Sequence, residues 1–257
     1  MDLNLNNELY LRYNSQSQKA RVLTEPWVKD NLYCPRCGHP HLEKFPNNKK
    51  VADFFCPACE AQYELKSKNG KFAKKVLAGA YDAMIQRITS NENPDFLFLS
   101  YSKKDLKVNE LFLVSNHFFV SDIIEKRKPL SLSARRSGWI GCNILLNEIP
   151  EQGRVSIISG GNVEAKEIVL GKVNKSSVLL ENDIDKRGWL MDVLNCVNKI
   201  STEQFTLKEV YAFEEMLSQK YPGNNNVREK IRQQLQILRD KGFVEFLSRG
   251  VYRKNIY

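Results

Sequence analysis

The spacing of apolar residues along this chain changes several times, and each change marks an expected element. Between residues 17 and 30, Ala20, Leu23, Trp27 and Val28 recur at helical spacing, so a helix is expected there, interrupted or restarted at Pro26. Residues 51–55 and 61–67 concentrate β-branched and aromatic side chains and read as the two strands of a hairpin. From Phe72 to Ser90 the apolar positions Val76, Leu77, Ala80, Met84 and Ile88 return to a helical period. Asn93-Pro94 ends that helix before Phe96-Leu-Phe-Leu99, which has the pattern of a buried strand. With further strands expected at 110–114, 140–146 and 155–159, the class is α/β (α+β) with a mixed sheet.

Residues 171–187 are mostly polar and charged, and they divide the chain into an expected first unit, 1–183, and a second, 184–257. The second unit opens on an apolar helical stripe at 189–197, and Thr206-Leu-Lys-Glu209 is a capping box that starts another helix. A third helix begins at Asn226 with Val227, Ile231, Leu235 and Leu238 on its inner face. Residues 243–246 and 251–254 flank Ser248-Arg-Gly250 as a short hairpin, so three helices and a hairpin predict a winged helix. Arg228, Lys230, Arg232 and Gln233 are left outward on the third helix, which suits DNA because Arg reads guanine and Gln reads adenine. A winged helix used for protein contacts would share the pattern.

Charge narrows the partners. Across 257 residues, 39 Lys+Arg against 30 Asp+Glu give a formal +9, which favours a polyanion without naming one. No apolar run approaches the ~20 residues of a membrane span, and the opening MDLNLNNELY lacks the pattern of a secretion signal. A cytoplasmic protein with no membrane partner is expected.

Four of the six cysteines form Cys34-Pro-Arg-Cys37 and Cys56-Pro-Ala-Cys59, and the 18 residues between the pairs match a four-cysteine zinc ribbon. Four thiolates close a tetrahedral shell around Zn2+ and leave no place for water, so such a site is structural. A redox dithiol, or thiols that are simply buried, are the competing readings. Cys142 and Cys196 belong to neither pair and read as small buried residues, while His39 and His41 lie near enough to the first pair to substitute as ligands.

The second pair runs directly into Glu64-Leu65-Lys66. Side chains alternate on a strand, so Glu64 and Lys66 share one face, and Asp53 lies on the strand expected to pair with it. Two carboxylates meeting there can hold Mg2+, and a lysine beside them can orient water or meet charge on a phosphate. Glu-x-Lys also occurs on merely solvated strand faces. The five lysines between Lys66 and Lys75, with no acid among them, favour a phosphate backbone nearby.

Asp53 with Glu64-Leu65-Lys66 resembles the PD-(D/E)XK nucleases, although Ala52 stands where that family's proline would be. The successive motifs SQKARVLTEPWV, YCPRCG, VADFFCPAC, YELKSK, ARRSGWIGCNI, RGW and VREKIRQQLQILRDKG extend the resemblance over nearly the whole chain to the DpnI-like, methyl-directed restriction endonucleases. That resemblance implies Mg2+-dependent cleavage of double-stranded GATC carrying N6-methyladenine, with a blunt cut between methylated adenine and thymine. It implies that both units read the site and that the enzyme acts as a monomer. Carried over by position, Asp53, Glu64 and the Leu65 carbonyl bind Mg2+, Lys66 activates water, and Cys34, Cys37, Cys56 and Cys59 hold Zn2+. Arg135 and Arg136 would meet phosphates, and Trp139 would meet the adenine methyl groups, unless its ring belongs to the core. A DNA-binding regulator with an incidental acid pair and a repair nuclease that reads DNA shape are the alternatives that cleavage assays separate.

Overall fold

The computed structural model describes residues 1–6, 8, 12–46, 52–90, 93–179 and 184–255. Its first element, α1 (Gln16–Asn31), is one helix with Pro26 inside it, so the expected interruption does not occur. Proline removes a single intrahelical bond. Leu23, Thr24, Trp27 and Val28 are buried on both sides of that position, and Trp27 Nε1 donates to the Asp2 carbonyl at 2.8 Å. Burial of this face therefore carries the helix through the defect.

The central sheet has seven strands: β1 (Glu43–Lys44), β2 (Phe54–Phe55), β3 (Gln62–Asn69), β5 (Asp95–Ser102), β6 (Lys107–Val114), β9 (Arg154–Ser159) and β10 (Asn162–Val163), neighbours in that order. The strand expected at 51–55 is shorter than its sequence suggested, and Val51 lies outside the described residues. β3 runs parallel to β5 and every other pairing in the sheet is antiparallel, so the sheet is mixed as expected. Between the parallel strands come β4 (Lys75–Ala80) and α2 (Tyr81–Ile88). Parallel neighbours require such a crossover.

β4 corrects the expected helix over 72–90. Its burial alternates residue by residue, with Val76, Ala78 and Ala80 partly buried and Leu77 66% exposed. It pairs with β8 (Gly141–Leu145), setting Val76 opposite Ile144, and β7 (Ile124–Lys126) completes this second sheet. Helix begins only at Tyr81, with Met84 and Ile88 buried one turn apart.

The register of β5 assigns the two faces of the central sheet. Phe96 and Phe98 join one apolar cluster with Met84, Phe119 and Ile144, while Leu97 and Leu99 join another with Leu23, Trp27, Tyr63 and Val155. Residues 171–177, read as part of a polar boundary, form the end of α3 (Lys166–Ser177), which docks through Val169 and Val173.

The last part of the chain holds α4 (Ile184–Lys199), β11 (Gln204–Thr206), α5 (Leu207–Tyr211), α6 (Glu214–Lys220), α7 (Val227–Asp240), β12 (Val244–Ser248) and β13 (Val251–Lys254). The expected second helix is thus two short ones, and β11 adds a third strand to the expected hairpin by pairing with β13. The capping box forms as read, with Thr206 and Glu209 bonded reciprocally. These elements do not stand apart from the rest: Leu190, Leu194, Leu235 and Phe243 belong to the same apolar cluster as Phe96 and Phe98. Lys220 reinforces the junction by pairing with Asp192 at 2.6 Å and with Asp122 at 3.3 Å. Among the described residues no helix is long and apolar enough to cross a membrane.

Candidate active site

The β2–β3 hairpin carries both groups of candidate residues. At its turn, Cys34, Cys37, Cys56 and Cys59 bring their sulfurs within 4.8 Å of one another. The Cys34–Cys59 and Cys37–Cys56 sulfur separations are 3.6 Å each. A tetrahedron built on metal–sulfur bonds of about 2.3 Å has edges of about 3.8 Å, and these two separations are close to that length.

Two turns of one design produce it. In the first, Gly38 N–H donates to the Cys34 carbonyl and Cys34 N–H to the His39 carbonyl, both at 2.8 Å. In the second, Glu60 N–H donates to the Cys56 carbonyl at 2.9 Å and Cys56 N–H to the Ala61 carbonyl at 2.8 Å. Gly38 and Glu60 occupy equivalent left-handed positions, at φ of 78° and 59°. Tyr63 Oη lies 3.1 Å from Cys34 Sγ and ties the cluster to β3. His39 Nδ1 is instead 3.0 Å from the His41 carbonyl oxygen, and Cys142 and Cys196 are buried elsewhere.

Further along the hairpin, Asp53 sits just before β2, where its N–H donates to the Tyr63 carbonyl at 3.0 Å. Its carboxylate accepts the Leu65 N–H at 2.7 Å, which fixes it against β3. Asp53, Leu65 and Lys66 then line one cavity of about 290 Å3 together with Ser17, Arg21, Thr24 and Glu25 of α1. Glu64 and Lys66 share a face of β3 as alternation requires, and Lys66 Nζ donates to the Glu64 carboxylate. Arg87 Nη1 of α2 donates to the other Glu64 oxygen at 2.7 Å.

The two acids respond oppositely to these surroundings. Burial raises the Asp53 carboxyl above its ordinary range; the Leu65 N–H opposes this, and the Glu64 charge adds to it. Burial also works against the Glu64 charge, but Lys66 and Arg87 overcome it and hold that carboxyl low.

Neither Arg87 nor Glu25 was singled out from sequence. Glu25 faces the cavity and pairs with Lys44 of β1 at 2.6 Å. A signal for each was present: Ser17, Arg21, Thr24 and Glu25 form a polar stripe at helical spacing, and Arg87 follows buried Met84 by three residues, which turns it inward.

The remaining candidates lie outside this cavity. Arg135 and Arg136 are exposed, and Trp139 is half-buried. The indole lies against Gly141, where an added Cβ would come within 2.7 Å of the ring, and the Arg136 guanidinium stands 5.9 Å from its centre. On α7, Arg228 and Arg232 are exposed but paired with Glu214 and Glu229, both at 2.8 Å. Gln233 is exposed, whereas Lys230, expected outward, is half-buried.

The Dam-replacing family model, DpnI, matches residues 1–182, a span that contains every candidate in the cavity and all four clustered cysteines. The Dam-replacing helix-turn-helix domain model matches residues 185–254, from α4 to the end of β13. The chain therefore belongs to the Dam-replacing family of DpnI-like, methyl-directed restriction enzymes with a C-terminal helix-turn-helix domain.

Proposed function

We propose that this chain is a type II restriction endonuclease that cuts double-stranded GATC carrying N6-methyladenine, leaving blunt ends between the methylated adenine and thymine. In this reading residues 1–183 are a PD-(D/E)XK catalytic unit, residues 184–257 are a winged-helix unit, and both read the methylated site. The observation that carries it is the convergence of Asp53, Leu65 and Lys66 on one cavity, with Glu64 held beside Lys66, in a chain of this family.

The residues present suit Mg2+, because Asp53 and Leu65, which line a cavity in which the ion could keep waters, and Glu64, bonded to Lys66 of the same lining, offer hard oxygen donors. Mg2+ bound there would act as a Lewis acid toward a phosphoryl oxygen. Asp53 and Glu64 would hold it, and the Leu65 N–H keeps the Asp53 carboxylate turned to β3. Lys66 orients the attacking water and meets the negative charge that grows on the phosphate. The cysteine cluster offers four sulfurs and no open position, which suits a structural Zn2+.

Recognition rests on the exposed loop before β8 and on α7. Arg135 and Arg136 are free to reach phosphates, and the half-buried face of Trp139 offers an apolar surface to a methyl group. One buried carbon contributes only about 0.8 kcal/mol, so selectivity requires more than a single methyl contact. Two methyl groups read by two units supply it.

Digestion of matched methylated, hemimethylated and unmethylated GATC duplexes with Mg2+ tests the reading. The fully methylated duplex should be cut to blunt ends while the unmethylated one survives. An intact methylated duplex overturns it.

A further inference from the structure

Glu64 has two cationic partners where one would neutralise it. Lys66 reaches one carboxylate oxygen along β3, and Arg87 reaches the other from α2 at 2.7 Å. The Glu64 and Arg87 side chains are 15% and 22% exposed, so the pair lies largely out of water and its charges are weakly screened. A buried carboxylate needs a partner, and Lys66 already provides one. With Asp53 beside them the two acids and two cations of this corner balance, and without Arg87 the site would carry a net negative charge. Arg87 engages Glu64 through Nη1, while its Nη2 is buried and makes no hydrogen bond among the described residues.

We propose that Arg87 is a positioning residue for phosphodiester cleavage, which fixes the Glu64 carboxylate between β3 and α2 and, as a resident cation, opposes the divalent ion until phosphate enters. The inference rests on the metal-dependent reading given above. Without nucleic acid, a divalent ion approaching Glu64 meets two positive charges on one carboxylate. A nucleic-acid phosphate brings the negative charge that offsets them. Firm binding of the metal is thereby coupled to the presence of substrate, and the ion is held weakly when no phosphodiester is there to be cut.

The consequence separates this role from a structural one. Removing the guanidinium charge should tighten the divalent ion while slowing the reaction, because Glu64 loses an anchor and the metal loses a competitor. Even in a water-like dielectric a unit charge acting on a divalent ion across roughly 6 Å changes affinity about tenfold, which is the smallest effect expected here.

The experiment is calorimetric titration of the DNA-free protein with Mg2+, and separately with Mn2+, for the wild type, Arg87→Gln and Arg87→Lys. Melting curves establish that each variant is folded, and single-turnover cleavage of the methylated duplex is measured in parallel. Arg87→Gln should bind the ion at least about tenfold more tightly and cut at least tenfold more slowly, while Arg87→Lys, which keeps the charge, should bind as the wild type does. Binding by Arg87→Gln that equals or falls below that of the wild type overturns the inference and leaves the metal reading standing. If neither the wild type nor the variants bind either ion, with or without the duplex, the metal reading falls and this inference falls with it.

Discussion

At the turn of the β2–β3 hairpin four sulfurs crowd within 4.8 Å of one another, while along its strands Asp53, Glu64 and Lys66 come together with two of the three already ion-paired. The cysteine cluster is made of like atoms. It is compact and tied down by paired turn hydrogen bonds and by Tyr63. The acid site is made of opposed charges facing an open cavity, with its acids pushed in opposite directions. A structural site can be closed and finished by the fold. A site that must admit a phosphate is kept open and balanced by charges that the substrate can rearrange.

The largest effect that distinguishes the two regions should follow removal of a sulfur. Cys34→Ser or Cys56→Ser should cost several kcal/mol and lower the melting temperature by 10 °C or more, read by calorimetry, because binding free energy at such a site is folding free energy. Withdrawing Mg2+ should leave the melting curve in place and abolish only cleavage. Lys66→Ala should slow single-turnover cleavage by about 10^3-fold or more with little change in stability, since Arg87 remains to pair Glu64.

Smaller effects separate the two acids. Burial makes the Asp53 charge unfavourable, so Asp53→Asn should abolish cutting yet raise stability at pH 7. That gain should shrink as pH falls and Asp53 takes up its proton in the folded protein. Glu64 is held low, so it contributes stability above its unfolded carboxyl value that is lost as pH falls through the lowered folded value. Glu64→Gln should therefore lower stability at pH 7, and the loss should fade in acid. Urea melts across pH 3 to 7 read both signs, and slopes of the same sign would break the contrast. The smallest effect belongs to the second cysteine turn, where Glu60 takes the left-handed conformation that Gly38 takes in the first. Glu60→Gly should gain at most about 1 kcal/mol without touching cleavage.

Legibility followed the range of the interactions. Cys-x-x-Cys turns and a Glu-x-Lys strand are set by neighbours one to three residues apart, and each was readable before any fold was known. β4 was read as helix because Val76, Leu77, Ala80, Met84 and Ile88 do fit a helical period. Pairing with β8, some sixty residues away, decides against it and leaves Leu77 in solvent. α3 was missed because only Val169 and Val173 dock it among mostly polar neighbours, too narrow a stripe to stand out. Trp139 could have been core or surface, and its half-burial against Gly141 depends on a contact that periodicity does not encode.

By itself the sequence determined the meeting of four cysteines, the sharing of a strand face by Glu64 and Lys66, the approach of Asp53 through a hairpin, and the mixed α/β class. Local geometry and side-chain alternation suffice for these. Only the tertiary structure decided that Arg87 grips Glu64 from α2, that Glu25 and Lys44 pair at the cavity wall, and that one apolar cluster joins Phe96 to Leu235. Those contacts bring together charges and apolar faces from distant elements, and their partners are chosen by packing, on which the order of residues along any one element is silent.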